Sequence, residues 1–457
     1  MKLVRVPVVF VCLLISIDQA FGAAIGQGEC KTPRLLLVSY DGFSNDYFSR
    51  NLTPNSEAFQ KEGVYVKRLR PVFPTKTFTN HFTIVTGVYP EVHGVSANEV
   101  YDRVHGELHY GAPLFEYNKD IVPIWTLNEL ANGTSGCMMW PGFDFPYRNT
   151  TCTYSQKFDK NVTMKARVDT VMKWFTDKSK PANFVVLYAD QPDKTGHRFG
   201  TTGIEMNNHI KEVDEITGYI QEQLKLHNLT SCTNVIHLSD HGMIEVNASN
   251  VIDFSPFLEN GTYKTYGTSP VLQIVPEDEG AIDEIFNRLV NASNTLGHFK
   301  VFKQPNLPER WHVKMPRFGP IVAVADLNYV FQDLYKAIEY YKKTYNQTRA
   351  GFYGVHGYDN EYPEMSGVLM AKGPSFPQGK VLDKYENIDL YNLFVKILDL
   401  PNAPRTNGSY ERAVQLLEEK PTNTAAIVVA IILLLIVVAC LIVFIIYRRK
   451  RYHCMWF

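Results

Sequence analysis

Residues 184 to 200 read F-V-V-L-Y-A-D-Q-P-D-K-T-G-H-R-F-G. A β-branched apolar run, Phe184 to Tyr188, breaks at Pro192 and then offers Asp193 and, four residues on, His197. A carboxylate and an imidazole just past a buried strand can grip one divalent metal. Two other strands end alike: R-L-L-L-V-S-Y-D-G delivers Asp41, and N-V-I-H-L-S-D-H-G delivers Asp240 and His241. A glycine-bounded loop, G-F-Y-G-V-H-G-Y-D-N, presents His356. The polar cluster before Phe78 reads as a helix start, which sets Thr77 where free N–H groups meet an anion. Asp193, His197 and His356 can form one metal site; Asp41, Asp240 and His241, with the Thr77 oxygen, can form a second. Mixed N/O ligation without cysteine suits zinc and leaves a coordination position open. Two metals about 3.5–4 Å apart can clamp the attacking and leaving oxygens of an in-line displacement at phosphorus. Singly, Thr77 reads as an N-cap, Asp240-His241-Gly242 as a turn and His356 as a loop residue. Their joint occurrence at strand ends points to one crevice at the carboxyl edge of a parallel sheet.

The elements that must position these residues alternate. Arg34 to Ser39 is a strand, a short helix starts near Asn55 and stops at Gly63, and the helix after Thr77 stops at Gly87. Val168 to Phe175 is an amphipathic helix before the Phe184 strand. Ile210, Val213, Ile216, Tyr219, Ile220 and Leu224 recur at helical spacing over 207–227, ahead of the Val235 strand. S-G-V-L-M-A-K-G-P is a further strand, and Ile388 to Leu400 a last helix. The pattern predicts a doubly wound, mostly parallel α/β sheet, with Pro270 to Ala325 as a smaller α/β insertion. Val88 to Thr163, rich in Gly, Pro, Asn and Tyr, reads as covering over the crevice. There is no G-x-S-x-G elbow and no P-loop.

The chain of 457 residues is 45% apolar and 20% charged, enough for a packed core. Its net charge of −1 combines +1 over Lys2, Arg5 and Asp18, +4 over Arg448 to Arg451, and −6 between. That gives no basic footprint for a nucleic-acid polymer. Residues 1–22 read as a signal peptide, with a small-residue cut after Gly22. Ala425 to Ile446 is an uncharged run of 22 apolar residues, long enough for a bilayer core of about 30 Å. The expected organisation is an extracellular domain over 23–410, a stalk over 411–424, one transmembrane helix over 425–447 and a cytoplasmic tail over 448–457. This is a single-pass type I protein of the cell membrane. Of seven cysteines, Cys30, Cys137, Cys152 and Cys232 fall on the oxidising side; they can pair in three ways, and Cys137 with Cys152 closes the shortest loop. Glycosylation sequons start at Asn51, Asn132, Asn149, Asn161, Asn228, Asn247, Asn260, Asn291, Asn346 and Asn407, all in the proposed extracellular part.

L-V-S-Y-D-G-F, T-K-T-F-T-N-H-F-T-I-V-T-G-V-Y, H-G-V-S-A-N, L-Y-A-D-Q-P-D-K-T-G-H-R-F-G, S-D-H-G-M and H-G-Y-D-N resemble, in order, the motifs of the ectonucleotide pyrophosphatase/phosphodiesterase family, of the alkaline phosphatase superfamily. The resemblance runs from about Arg34 to Pro404 and looks like the shorter, type I members. It implies an alkaline phosphatase-like fold, two zinc ions partitioned as above, Thr77 as nucleophile and Asn98 on the transferred phosphoryl oxygen. Metal coordination would lower the pKa of the threonine hydroxyl, which attacks in line to form a phosphothreonine diester that water then hydrolyses. An uncharged Asn98 suits a diester, where an arginine would favour monoesters. Two departures bear on substrate choice: Thr79 stands where the family often has Pro, and Asp190-Gln191-Pro192-Asp193 where it commonly has E-E-P-D. Phe78 resembles the aromatic that stacks a nucleotide base, and Tyr188 is a candidate second wall. The expected substrates are nucleoside triphosphates, dinucleoside polyphosphates or NAD. An alternative is a choline-phospholipid phosphodiesterase of sphingomyelinase or lysophospholipase C type, with Asp190 and nearby tyrosines caging the quaternary ammonium. A second alternative is a catalytically silent surface protein.

Overall fold

The computed structural model describes residues 33–345, 351–418, 432–433 and 435–446. Its main sheet has eight strands, in the order Lys380–Glu386, Val64–Arg70, Gly367–Lys372, Thr233–Leu238, Arg34–Tyr40, Phe184–Ala189, Ser135–Met138 and Tyr154–Gln156. All neighbours are parallel except Gly367–Lys372, which runs against both of its partners. Leu35, Leu36, Leu37 and Val38 at its centre are fully buried, as the unbroken apolar run requires of a strand covered on both faces. This strand pairs in register with the two other acid-bearing strands, Tyr40 opposite Ala189 and Ser39 opposite Leu238. All three therefore release their acids at one edge. The register continues past the strands: the Asp41 N–H donates to Ala189 O, and the Asp193 N–H to Asp41 O, each at 3.0 Å.

The helix Thr77–Thr86 lies against this edge and ends at Gly87, whose φ of +68° is left-handed. A Cβ there would come within 2.8 Å of the Tyr391 Cβ, so both backbone and packing ask for glycine. The helices Met164–Phe175 and Ile204–Leu226 lead into the second and third acid-bearing strands. The insertion is a four-stranded antiparallel sheet, Tyr263–Tyr266, Val271–Pro276, Ile321–Ala325 and Phe299–Lys303 in spatial order. Helix Ile282–Leu296 closes its core through Ile285 and Leu289 on Leu272 and Ile274.

Two expectations change. Val88 to Thr163 is not covering alone, because Ser135–Met138 and Tyr154–Gln156 extend the main sheet at its edge. Strands of four and three residues, S-G-C-M and Y-S-Q, are too short to show a period. A disulfide joins Cys137 to Cys152 across this edge, the pairing with the shortest loop. The compact unit also runs to Leu416, past the expected stalk boundary. Ala413 and Leu416 are fully buried, and Arg412 grips Asp389 with two nitrogens at 2.6 and 2.8 Å. The second unit includes helical residues 435–446, which belong to the expected span 425–447. Among the described residues no helix is long and apolar enough to cross a membrane. The signal peptide 1–22, residues 419–431, the tail 448–457, Cys30 and Asn346 lie outside the described residues.

His237 sits on strand Thr233–Leu238, stacked 5.7 Å from Tyr40 and edge-on to Phe59, and neither ring nitrogen has a hydrogen-bond partner. Burial pushes its pKa down to about 3. Because the unfolded histidine titrates near 6.5, the unfolded chain protonates first. Stability is complete above about pH 6.5 and is lost as pH falls toward 3, by up to about 1.4 kcal/mol per pH unit. His237→Phe keeps the stack and removes two unpaired nitrogens, which should raise stability by about 1–3 kcal/mol. Thermal melts at pH 7.5 and pH 5 should show a higher midpoint and a smaller gap between the two; a lower midpoint with an unchanged gap would contradict this.

Candidate functional site

Asp193 opens the helix Asp193–Phe199, so Asp193 and His197, four apart, share one face. Asp193 Oδ1 lies 3.3 Å from His197 Nε2 and 3.5 Å from His356 Nε2, and the two Nε2 atoms are 3.1 Å apart. In a second cluster, His241 Nε2 lies 3.1 Å from Asp240 Oδ2, 3.4 Å from Asp41 Oδ1 and 3.4 Å from Thr77 Oγ1. Within each three-residue cluster the candidate ligand atoms all fall within 4.8 Å of one another. The rings of His241 and His356 stack at 3.6 Å, so the clusters adjoin.

The hydrogen bonds behind these atoms settle what they can do. His197 Nδ1 donates to Gly354 O at 2.8 Å, His356 Nδ1 to Thr75 O at 2.7 Å and His241 Nδ1 to Gly242 O at 2.9 Å. A carbonyl only accepts, so each Nδ1 carries the proton and each Nε2 offers a lone pair. The carboxylates are prepared alike. Asp41 Oδ2 accepts from the Tyr188 hydroxyl at 2.5 Å, and Asp240 Oδ1 accepts from the Gly42 N–H at 3.2 Å. Asp41 Oδ1, Asp193 Oδ1 and Asp240 Oδ2 are buried with no hydrogen-bond partner. His81 stands 3.3 Å from Asp240 Oδ2, but its Nδ1–H is committed to Thr77 O at 2.8 Å. Lone pairs of three oxygens and three nitrogens thus face one another. A cation would satisfy that arrangement, and the mixed N/O donor set fits divalent metals.

The titration behaviour agrees. Burial pushes the Asp41 carboxyl well above its ordinary range, and the nearby Asp240 and Asp193 push it further. Burial also acts on Asp240, but His241 and His81 outweigh it and hold that carboxyl low. Burial lowers His241 and His356, which keeps both imidazoles neutral as ligands must be.

Thr77 is the first residue of its helix and is buried. Asn98 Oδ1 accepts the next N–H of that helix, from Phe78, at 2.9 Å, which ties Asn98 to the residue after Thr77. Phe78 and Tyr188 line a cavity of about 560 Å³, together with Tyr110, Phe143, Phe145, Phe158, Asp144 and Lys157. Tyr188 has two parts to play, a ring in the cavity wall and a hydroxyl on Asp41. Asp190 stands elsewhere. It lines a different cavity with Arg167 and pairs with Lys194 at 3.4 Å. The acid in the aromatic cavity is Asp144, which accepts from the Tyr110 hydroxyl and lies 3.7 Å from Lys157. The signal for this wall was the string M-W-P-G-F-D-F-P-Y, dense in aromatics within the segment read as covering. Of the nine sequon asparagines described, Asn51, Asn132, Asn149, Asn161, Asn228, Asn260, Asn291 and Asn407 are exposed and Asn247 is half-buried.

Fold and site together define an α/β enzyme with a metal-capable crevice beside an aromatic cavity. Residues 35–359 match the family described as type I phosphodiesterase / nucleotide pyrophosphatase. The bis(5'-adenosyl)-triphosphatase enpp4 of Xenopus laevis is 34% identical over 389 residues, 84% of this chain and 82% of that protein. Ectonucleotide pyrophosphatase/phosphodiesterase family member 5 of Homo sapiens is 34% identical over 389 residues, 84% of this chain and 78% of that protein. The solved structure of an inactive form of the murine family member 5, in complex with AMP, superposes with a TM-score of 0.76 at 34% identity, covering 84% of this chain and all of that one. The chain belongs to the type I phosphodiesterase/nucleotide pyrophosphatase family, a family of enzymes.

Metal-stripped protein should gain thermal stability when a divalent cation is restored, by about 2.7 kcal/mol at a hundredfold excess over Kd. Tyr188→Phe keeps the cavity wall but frees Asp41 Oδ2, so the same cation should stabilise it less. Differential scanning calorimetry with and without chelator reads both; equal gains for the two proteins would remove Tyr188 as the anchor of Asp41.

Proposed function

We propose that this chain is an extracellular, zinc-dependent nucleotide pyrophosphatase/phosphodiesterase that works through a phosphothreonine intermediate. The observation that carries the reading is the set of buried, unpartnered carboxylate oxygens facing three histidine Nε2 atoms beside Thr77. Asp193, His197 and His356 would hold one zinc ion; Asp41, Asp240, His241 and Thr77 would hold the other. Bound zinc supplies a lowered pKa for a coordinated hydroxyl and positive charge for the phosphoryl oxygens.

The chain's own residues supply the rest. Thr77 Oγ1 loses its proton to solvent and attacks phosphorus in line, while the bond from phosphorus to the leaving oxygen breaks on the opposite side and the leaving group departs, taking up a proton from solvent where it needs one. The Asn98 amide hydrogens and the free N–H groups of the first helical turn take the charge that grows on the equatorial oxygens. Water then releases the phosphoryl group from Thr77. Phe78 and Tyr188 face a planar base across the cavity, with Tyr110, Phe145 and Phe158 completing an aromatic wall. Lys157 beside Asp144 puts a cation where a quaternary ammonium would need a free acid, which disfavours a choline-lipid substrate. Relatives named as bis(5'-adenosyl)-triphosphatases, and the AMP complex of the murine neighbour, support nucleotides with a phosphoanhydride or diester bond. The apolar run in 425–447 and the ten sequons support a single C-terminal membrane anchor with the catalytic domain outside the cell.

Purified full-length protein should carry zinc and hydrolyse p-nitrophenyl thymidine monophosphate. Thr77→Ala should cut that rate by about 10³-fold or more while zinc content holds. Turnover of diadenosine triphosphate, ATP, NAD and lysophosphatidylcholine, measured side by side, should favour the nucleotides. Release of phosphocholine without release of nucleotide would reject this substrate class.

A further inference from the structure

Thr75 and Lys76 precede the proposed nucleophile and are buried, yet they are absent from both ligand clusters. Their polar groups go to the loop that carries His356. Thr75 O accepts the His356 Nδ1–H at 2.7 Å. Thr75 Oγ1 accepts the Gly357 N–H at 2.8 Å and donates to Tyr358 O at 3.1 Å. Lys76 Nζ donates to His356 O at 3.1 Å, and also to Ser269 O at 2.7 Å and Thr268 Oγ1 at 3.0 Å next to the insertion. The three ammonium hydrogens therefore have three oxygen acceptors, none of them a carboxylate. Gly357, at φ +116°, passes so close that a Cβ would meet Lys76 Cε at 2.5 Å. Two consecutive residues thus hold three consecutive residues of a segment about 280 positions away in sequence.

We infer that Thr75 and Lys76 are positioning residues for the Asp193–His197–His356 cluster, setting the ring of His356 and so tying occupancy of that metal site to the segment that ends in Thr77. The inference rests on the zinc reading proposed above. The physical cause is directional. The ring of His356 is aimed by its Nδ1 bond, and the carbonyl that accepts this bond stays in place only while the Thr75 hydroxyl and the Lys76 ammonium fix the two backbones to each other. Removing such outer partners of a metal ligand typically weakens metal binding about 10–100-fold. The Asp41–Asp240–His241 cluster shares none of these bonds.

The test uses full-length wild type, Thr75→Val, Thr75→Ser and Lys76→Met, stripped of metal, reloaded with Zn²⁺ and challenged with graded chelator. Zinc per chain is read by elemental analysis, and the melting temperature of each stripped protein is recorded. Thr75→Val and Lys76→Met should release one of two zinc equivalents at about 10–100-fold lower chelator and keep the other as wild type does. Thr75→Ser, which retains the hydroxyl, should follow wild type. A merely structural role would lower the melting of the stripped protein and weaken both equivalents in parallel, and that result overturns the inference. Wild-type chelator resistance of both equivalents in Thr75→Val and Lys76→Met also overturns it, while leaving the zinc enzyme intact. Wild-type protein that takes up no zinc overturns the functional reading itself, and this inference with it.

Discussion

Like charges forced together at the end of an apolar sheet are the constraint on which this molecule turns. The three acid-bearing strands, buried almost throughout, pair in one register, since a slip would strand the residues that cover the two faces. That register brings Asp41, Asp193 and Asp240 to one crevice whether or not their charges welcome it. At an effective dielectric of about 20, two unit charges 4 Å apart repel by about 4 kcal/mol. Burial raises the Asp41 carboxyl first, and that repulsion raises it further. Burial of Leu35 to Val38 thus holds the carboxylates in a geometry that they would not choose.

The helix behind the crevice follows from the same constraint. Thr77–Thr86 is buried along most of its length, yet more than half of it is polar. Its side chains satisfy backbone that has no ladder to join. Asn80 Oδ1 accepts from the Val72 N–H and from Asn387 Nδ2, each at 2.8 Å, and Asn80 Nδ2 donates to Lys76 O at 3.0 Å. His81 joins Ser39 of the central strand to the Thr77 carbonyl. The string T-K-T-F-T-N-H-F-T is a scaffold of hydrogen bonds as much as a carrier of one hydroxyl.

What could be read from sequence was what local rules determine. Asp41, Asp193 and Asp240 follow apolar runs that can only be buried strands, and the four-residue step from Asp193 to His197 needs only one helical turn. Cys137 and Cys152 are near neighbours along the chain and met as such. The cavity wall was hidden because Tyr110, Asp144 and Phe158 come from loops whose meeting is a tertiary event with no period to report it. Asp190 was misplaced for a related reason. It is three residues from a candidate ligand, yet it pairs with Lys194 in another cavity, and composition does not reveal which side a loop residue faces. The packing of Ala413 and Leu416 under a bidentate Arg412–Asp389 pair likewise depends on surfaces far away in sequence.

The bridge between Cys137 and Cys152 encloses Met139, Pro141, Phe143, Asp144 and Phe145, five residues of the cavity wall, in one covalent ring. The candidate metal ligands all lie outside that ring. Much of the cavity wall is therefore anchored apart from the candidate ligands, with Phe78 and Tyr188 as the residues that join the two. Substitutions within the ring can reshape that part of the cavity without touching the candidate metal ligands. The covalent closure thus gives this stretch of wall a fixed frame within which its side chains can vary.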